Sequence, residues 1–208
     1  MIDHHPRQQR VPQGLLRDLA SLDHVLYEAV TVTSTPALDS ALRRLSAAAD
    51  HSKISLLIAA TLALRPGRSR RAAVLGVAAI GVASTTANLL GKRLVRRPRP
   101  HRAEDSPFPG RHVPMPASAS FPSGHTASAV AFAAAVGPVF PAVTVPLGLL
   151  ACAVGYSRVH TGVHYPGDVI AGAVLGTGAA AAVLATAAHW DGPGGRSAGV
   201  RMCGAATR

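Results

Sequence analysis

The chain has little of what usually staples a fold or binds a metal. Among 208 residues there are two cysteines, Cys152 inside an apolar run and Cys203 near the C-terminus, which form neither a disulfide framework nor a zinc-ligand spacing. Acidic residues number 10 against 21 lysines and arginines. No Asp/Glu/His cluster beyond Asp168 would support metal coordination, so neither a metal nor a cofactor is expected. Aromatics make up only 4% of the chain, which leaves no stacking platform for single-stranded nucleic acid. Because the basic run adjoins apolar segments, the net charge of +11 is not read as a nucleic-acid footprint. No solenoid-type repeat is present. Arg17, Asp18 and Asp23 break up the leucines at 15, 16 and 19, unlike the apolar core of a cleavable signal peptide.

What the chain does have is apolar length. Hydrophobic residues are 48% and charged residues 15%, and the expected fold is all-α, a polytopic transmembrane helical bundle of about five spans with an N-terminal amphipathic helix. Ala72 to Gly91 and Val169 to Ala188 are free of charge and each reaches the roughly 20 residues a crossing helix needs. Thr126 to Ser157 is also uncharged but too long for one span at about 1.5 Å per residue; Gly137, Pro138 and Pro141 divide it into two antiparallel helices. Ile54 to Leu64 is a shorter candidate between Lys53 and Arg65. From Gly14 to Val30, Leu15, Leu16, Leu19, Leu22, Val25, Leu26 and Ala29 recur with helical period opposite a charged face, the pattern of a helix at the interface or against the bundle. Gly172 and Gly176 have the spacing of a close helix-packing seam. The organisation expected is an N-terminal segment over 1–49, a membrane domain over 50–190, and a disordered, glycine-rich tail over 191–208.

Three polar motifs punctuate these spans: Lys92 with Arg99-Pro100, then Pro122-Ser123-Gly124-His125, then Ser157-Arg158 with His164 and Asp168. The first follows one span, the second opens the next helix and the third links the last two, so all three fall on one membrane face. The other face carries Arg65, Arg68, Arg70 and Arg71 in one short loop and Arg196, Arg201 and Arg208 in the tail. The positive-inside tendency makes that face cytoplasmic and puts the motifs outside. Arginine outnumbers lysine 19 to 2 and alanine is abundant, as in a bacterium of high G+C content, which points to a bacterial cytoplasmic membrane.

The residue types suit phosphoryl transfer, where negative charge spreads over three oxygens and catalysis is mostly positioning and electrostatics. Lys92, Arg99 and Arg158 supply fixed cations, and the guanidinium fork matches phosphate oxygens. Ser123 is placed to cap a helix whose first N–H groups, at Gly124 and His125, form an anion site. His164 is the expected nucleophile and His125 the general acid and base. Asp168, four residues after His164 across Pro166 and Gly167, would hold the far imidazole nitrogen.

These motifs resemble the type 2 phosphatidic acid phosphatase superfamily, with its signature K-x6-R-P, P-S-G-H and S-R-x5-H-x3-D, and every specified position is matched in order over roughly Asp50 to Ala188. The resemblance implies a helical bundle, a phosphohistidine intermediate and no required metal. It implies as substrate a lipid phosphate or polyprenyl diphosphate, met at the outer leaflet by members with several spans. The short first span and the amphipathic N-terminal helix depart from the pattern of many membrane members. Alternatives left open are phosphotransfer to a lipid or sugar hydroxyl, a vanadate-type haloperoxidase, and a non-catalytic protein binding anionic lipid through Lys92 to Arg111. The identity of the lipid and the oligomeric state are not encoded in any local motif.

Around the motifs the expectations are structural. Arg93, Arg96, Arg97 and Arg102 are read as membrane-surface charges facing anionic head groups. Asp50 and His51 are read first as caps of the helix that follows them, with a reach into the site from the side as the second reading, and Tyr165 and Pro166 as turn and packing residues.

Overall fold

A computed structural model describes residues 13–102 and 108–191. The tail expected from Gly192 to Arg208 lies outside the described residues. Among those residues the regular elements are all helical: α1 (Gln13–Val32), α2 (Pro36–Ala48), α3 (Lys53–Ala63), α4 (Arg68–Thr86), α5 (Lys92–Leu94), α6 (Gly124–Val136), α7 (Thr144–His160) and α8 (Pro166–Asp191). A π-helical turn, Ala87–Gly91, joins α4 to α5.

The sequence pattern places one helix before residue 50, but the structure has two. Pro36 accounts for the break: it occupies the first turn of α2, where its missing N–H costs nothing, and Asp39 adds a carboxylate near the positive helix end. Pro141 likewise opens a short 3₁₀ turn leading into α7, and the long uncharged stretch divides at 137–143 as expected.

α6 is the hub. Apart from its first turn it has no polar stripe, and it packs against α8, α4 and α7. One seam is almost pure alanine, with Ala79 and Ala83 of α4, Ala127, Ala131 and Ala135 of α6, and Ala179 and Ala180 of α8. A second cluster sets Phe132 and Val136 among Ala72, Ile80 and Leu147. Gly172 and Gly176 allow α8 to lie directly on the α6 backbone. A Cβ at Gly172 would fall 2.5 Å from the Ser123 carbonyl oxygen, and one at Gly176 would overlap the Ala127 carbonyl. Small residues create this kind of close approach in lipid.

Three helical stretches are long and apolar enough to cross a membrane: Arg68–Leu94, Pro141–His160 and Pro166–Trp190. Val74, Val145, Leu149, Ile170 and Val174 are exposed on them, as lipid-facing side chains are. α3 and α6 bring the apolar helices to five, but their 11 and 13 residues fall short of the roughly 20 needed to cross alone. The protein is an integral membrane protein with the expected all-α architecture. α1 and α2 pack over one end of α7, and α1 also meets the start of α8.

Candidate active site

Backbone hydrogen bonds fasten the three motif segments together at that same end. Ser123 N–H donates to the Asp168 carbonyl at 2.9 Å, joining the start of α6 to the start of α8, and Ser120 N–H donates to the Arg97 carbonyl at 2.9 Å. Arg99 ties the approach to the second segment to the third: its guanidinium donates to the carbonyls of Ser118 (2.8 Å), Ala119 (3.3 Å) and Val163 (2.7 Å), and to the Ser118 hydroxyl.

His164 sits in the turn between α7 and α8 and is buried. Arg99 Nη1 lies 3.2 Å from its Nε2. A guanidinium can only donate, so Nε2 must present its lone pair and the ring proton belongs on Nδ1. That nitrogen faces the Asp168 carboxylate, with Oδ2 at 3.4 Å. Burial, with the charges of Arg99 and Arg158, pulls His164 down to about 4 against the opposing pull of Asp168. At neutral pH the imidazole is therefore uncharged, with its Nε2 lone pair turned to Arg99.

Asp168 is fully buried and held by several donors. Oδ2 accepts from the Ser120 hydroxyl in a very short contact and from Tyr165 N–H at 2.9 Å, while Oδ1 accepts from Arg97 at 3.0 Å. Ser120 also lies 3.5 Å from His164 Nδ1. Sequence reading missed Ser120, since a serine two residues before the Pro122-Ser123-Gly124-His125 motif carries no spacing signal of its own.

Next to this group is a cleft of about 500 Å³, lined among others by Asp50, Asn88, Lys92, Gly124, His125 and Arg158 and flanked by the 113–116 segment. Lys92 Nζ donates to Asn88 Oδ1 at 2.8 Å, one helical turn back. Arg158 is buried; its Nη1 donates to the Ser46 hydroxyl at 2.7 Å and to the Ser46 carbonyl at 3.3 Å, while its Nε has no partner among the described residues. Its charge reaches both His125 and His164. Gly124 has open space where a side chain would stand. Ser123 occupies the N-cap position of α6, as expected, but its side chain makes no capping bond. The Ser123 hydroxyl instead accepts from Thr126 at 3.0 Å and is buried, so it supports the turn.

Several expectations are corrected here. Asp50 does not cap α3. Its carboxylate lies 2.7 Å from His125 Nε2 and 3.9 Å from Arg158 Nη1. His51 and Ser52 take positive φ of 55° and 59°, which turns the chain so that Asp50 faces the cleft. Arg97 and Arg102 are not surface charges. Arg97 bridges Asp23 (2.7 Å) and Asp168 (3.0 Å), and Arg102 donates to the carbonyls of Val113, Thr161 and Gly162. Arg111, counted in the basic run, is buried and tied to Val30, Thr31, Thr33, Thr35 and Asp39 at the α1–α2 corner. Arg93 and Arg96 are exposed, and Tyr165 is a packing residue as expected.

A bundle of this kind, with a buried neutral histidine backed by a carboxylate beside a cation-lined cleft, defines a class of membrane phosphoryl-transfer protein. Residues 72–190 match the model of the PAP2 superfamily. The chain belongs to that family and is a phosphoric ester hydrolase. It is 34% identical to the decaprenylphosphoryl-5-phosphoribose phosphatase of Mycobacterium tuberculosis over 81% of this chain and 88% of that protein. It is 44% identical to a lipid A 1-phosphatase of Rhizobium johnstonii over 43% of this chain and 37% of that one. Among solved structures it is similar to a transmembrane PAP2 type phosphatidylglycerolphosphate phosphatase from Bacillus subtilis. That match has a TM-score of 0.65 and 23% identity, and covers 83% of this chain and 87% of that one. It is also similar to LpxE from Aquifex aeolicus, with a TM-score of 0.64 and 25% identity over 78% and 94%.

Proposed function

We propose that the protein is a metal-independent phosphatase that hydrolyses a membrane lipid phosphate or polyprenyl (di)phosphate through a phosphohistidine intermediate. The observation that carries this reading is the contact between Arg99 Nη1 and the unprotonated Nε2 of buried His164, with Asp168 against the opposite ring nitrogen. A nucleophile and a cation for the group it attacks thus occupy one spot.

In the first step Nε2 attacks phosphorus, and Arg99 exchanges its bond to Nε2 for one to a phosphoryl oxygen. The bond from phosphorus to the leaving oxygen breaks, and that oxygen takes a proton from His125; burial and Arg158 hold this ring down to about 4 in the free protein, so the Asp50 carboxylate and the incoming phosphate must favour its charged form. Asp168 stabilises the cationic ring. In the second step His125 takes a proton from water, the water oxygen attacks phosphorus, the N–P bond breaks, and inorganic phosphate leaves. Lys92, Arg99 and Arg158 neutralise the charge that builds on the equatorial oxygens, and the unpartnered Nε of buried Arg158 is a donor suited to one of them. General acid catalysis contributes only about 10²–10⁴-fold, whereas phosphate monoesters need accelerations up to ~10²¹. The cations must therefore carry much of the remainder.

A lipid-borne phosphate fits the apolar spans around the cleft, and the relatives above are named for a decaprenylphosphoryl sugar phosphate and for lipid A. The cluster Arg65, Arg68, Arg70 and Arg71 at the α3–α4 turn supports an active site on the outer face of a bacterial cytoplasmic membrane.

The test is release of inorganic phosphate in detergent from phosphatidic acid, phosphatidylglycerol phosphate, and polyprenyl phosphate and diphosphate. His164→Ala is expected to reduce release to background and to abolish the trapped phosphoenzyme. Undiminished turnover by that variant refutes the assignment, and transfer of phosphate to an added alcohol in place of release identifies a phosphotransferase.

A further inference from the structure

α1 is held to the bundle in an unusual way. Its Leu19, Leu22 and Leu26 are exposed, and the side chains that it buries among the described residues are Asp23 and Tyr27. These lie four apart on one face, and both turn toward the segment 164–168. The Tyr27 ring stands edge-on to Tyr165 with centroids 5.4 Å apart. The Asp23 carboxylate accepts from Gly167 N–H at 2.6 Å and from Arg97 at 2.7 Å. Arg97 in turn donates to Asp168 at 3.0 Å and lies over the Tyr165 ring, 4.0 Å from its centroid. A continuous chain therefore runs Asp23–Arg97–Asp168–His164, entering the catalytic carboxylate from the side opposite the imidazole. Neither Asp23 nor Arg97 lines the cleft.

The geometry leaves Asp168 with divided duties: Oδ2 serves His164, Ser120 and the Tyr165 amide, while Oδ1 is held by Arg97. A carboxylate rotates about its last bond unless both oxygens are engaged. Arg97 would set that rotation, and Asp23 would set Arg97. We propose that Asp23 and Arg97 are positioning residues for the nucleophile, fixing Asp168 so that His164 keeps its proton on Nδ1 and its lone pair on the phosphoryl group. This makes α1 part of the catalytic apparatus, and it rests on the reading of His164 as nucleophile given above. The same chain would explain why an arginine inside a basic membrane-proximal run is turned inward.

The experiment compares the parent protein with Asp23→Asn, Arg97→Gln and Arg97→Lys, using phosphatidic acid and farnesyl diphosphate in detergent micelles. It reads kcat and KM per folded molecule, the single-turnover rate of phosphoenzyme formation, and the melting temperature. Asp23→Asn keeps the shape of the side chain, and Arg97→Lys keeps the charge, so at least these two variants retain the fold. Misalignment of a reacting group can cost about 10²-fold; the expectation is a loss of roughly that size in kcat for Arg97→Gln, about 10-fold for Asp23→Asn, and an intermediate value for Arg97→Lys. The phosphoenzyme rate should fall in parallel. KM should stay near the parent value, because neither side chain lines the cleft that holds Lys92, His125 and Arg158. A lower melting temperature with kcat unchanged, or a raised KM with kcat unchanged, overturns the proposal and leaves these residues as struts. Failure of the parent itself to release phosphate overturns the phosphatase reading, and this proposal falls with it; parent activity that survives Asp23→Asn and Arg97→Gln overturns this proposal alone.

Discussion

His164 works under two opposed constraints. Its burial and the guanidinium groups around it disfavour the imidazolium, while Asp168 favours it, and the balance leaves the ring neutral down to a pH of about 4. The sign of the pH effect follows. In the proposed mechanism attack requires the unprotonated ring, so phosphoenzyme formation from p-nitrophenyl phosphate, whose leaving group needs no proton from His125, should lose rate as pH falls through about 4, well below the ordinary imidazole value near 6.5. Stability should move the same way. In the unfolded chain the ring binds its proton at about 6.5, so this residue's contribution is fully present above that pH. It is lost as pH falls from there toward the folded value of about 4; urea titrations of the parent and His164→Asn at several pH values would read it. Asp50 acts on the other histidine. Two successive non-glycine residues with positive φ beside it cost on the order of 1–2 kcal/mol each. The fold tolerates that cost where it brings a carboxylate to His125. Asp50→Asn should slow hydrolysis of an alkyl phosphate lipid by up to roughly 10²-fold, the scale of general acid catalysis. It should slow p-nitrophenyl phosphate much less, because that leaving group needs no proton. Equal losses on both substrates would move the effect of Asp50 to the second step, where His125 takes a proton from water, and no loss on either would remove Asp50 from proton transfer altogether.

At the scale of elements, the site depends on how closely α8 can approach α6. The hydrogen bond from Ser123 N–H to the Asp168 carbonyl is the first rung of that contact, and Gly172 and Gly176 extend it along the helices. Adding a methyl group at Gly176 places it against the Ala127 backbone, which cannot move as a side chain would. Gly176→Ala should therefore destabilise the protein by about 1–3 kcal/mol, the usual cost of overpacking, seen as earlier thermal unfolding in detergent. An equivalent change at Gly178, which has open space around it, should be neutral or stabilising by up to about 1 kcal/mol, since alanine is favoured over glycine within a helix, and serves as the control. α2 contributes in another way, since Ser46 presents both its hydroxyl and its carbonyl to Arg158. The segment before residue 50 is thus built into the wall of the cleft that Arg158 lines.

For the molecule as a whole, charge is distributed by function. Among the cations from Lys92 to Arg111, Arg97, Arg102 and Arg111 are consumed by internal bonds, Lys92 lines the cleft and Arg99 meets His164, and Arg93 and Arg96 are exposed. A non-catalytic lipid-binding surface would need these side chains outward, and the structure turns most of them in. Transition-state charge would then be met by fixed guanidinium and ammonium groups, so phosphate release should be unaffected by prolonged treatment with a chelator. A loss restored by a divalent cation would contradict the proposed chemistry.

Much of this was legible in the chain itself. A charge-free run of about 20 residues has few alternatives to a membrane helix, and the motif residues are tied to helix ends by their spacing, so Lys92, Arg99, Ser123, Gly124, His125, Arg158, His164 and Asp168 could be placed at one end of the bundle from sequence alone. Asp50, Ser46, Ser120, Asp23 and Arg97 could not. Each acts through a partner distant in sequence, and what distinguishes Arg97 from the exposed Arg96 beside it is only the direction its backbone gives it. Local pattern records period and charge, whereas the pairing of buried charges is decided by packing, because an ionised side chain taken out of water must meet whichever partner the assembled helices bring to it.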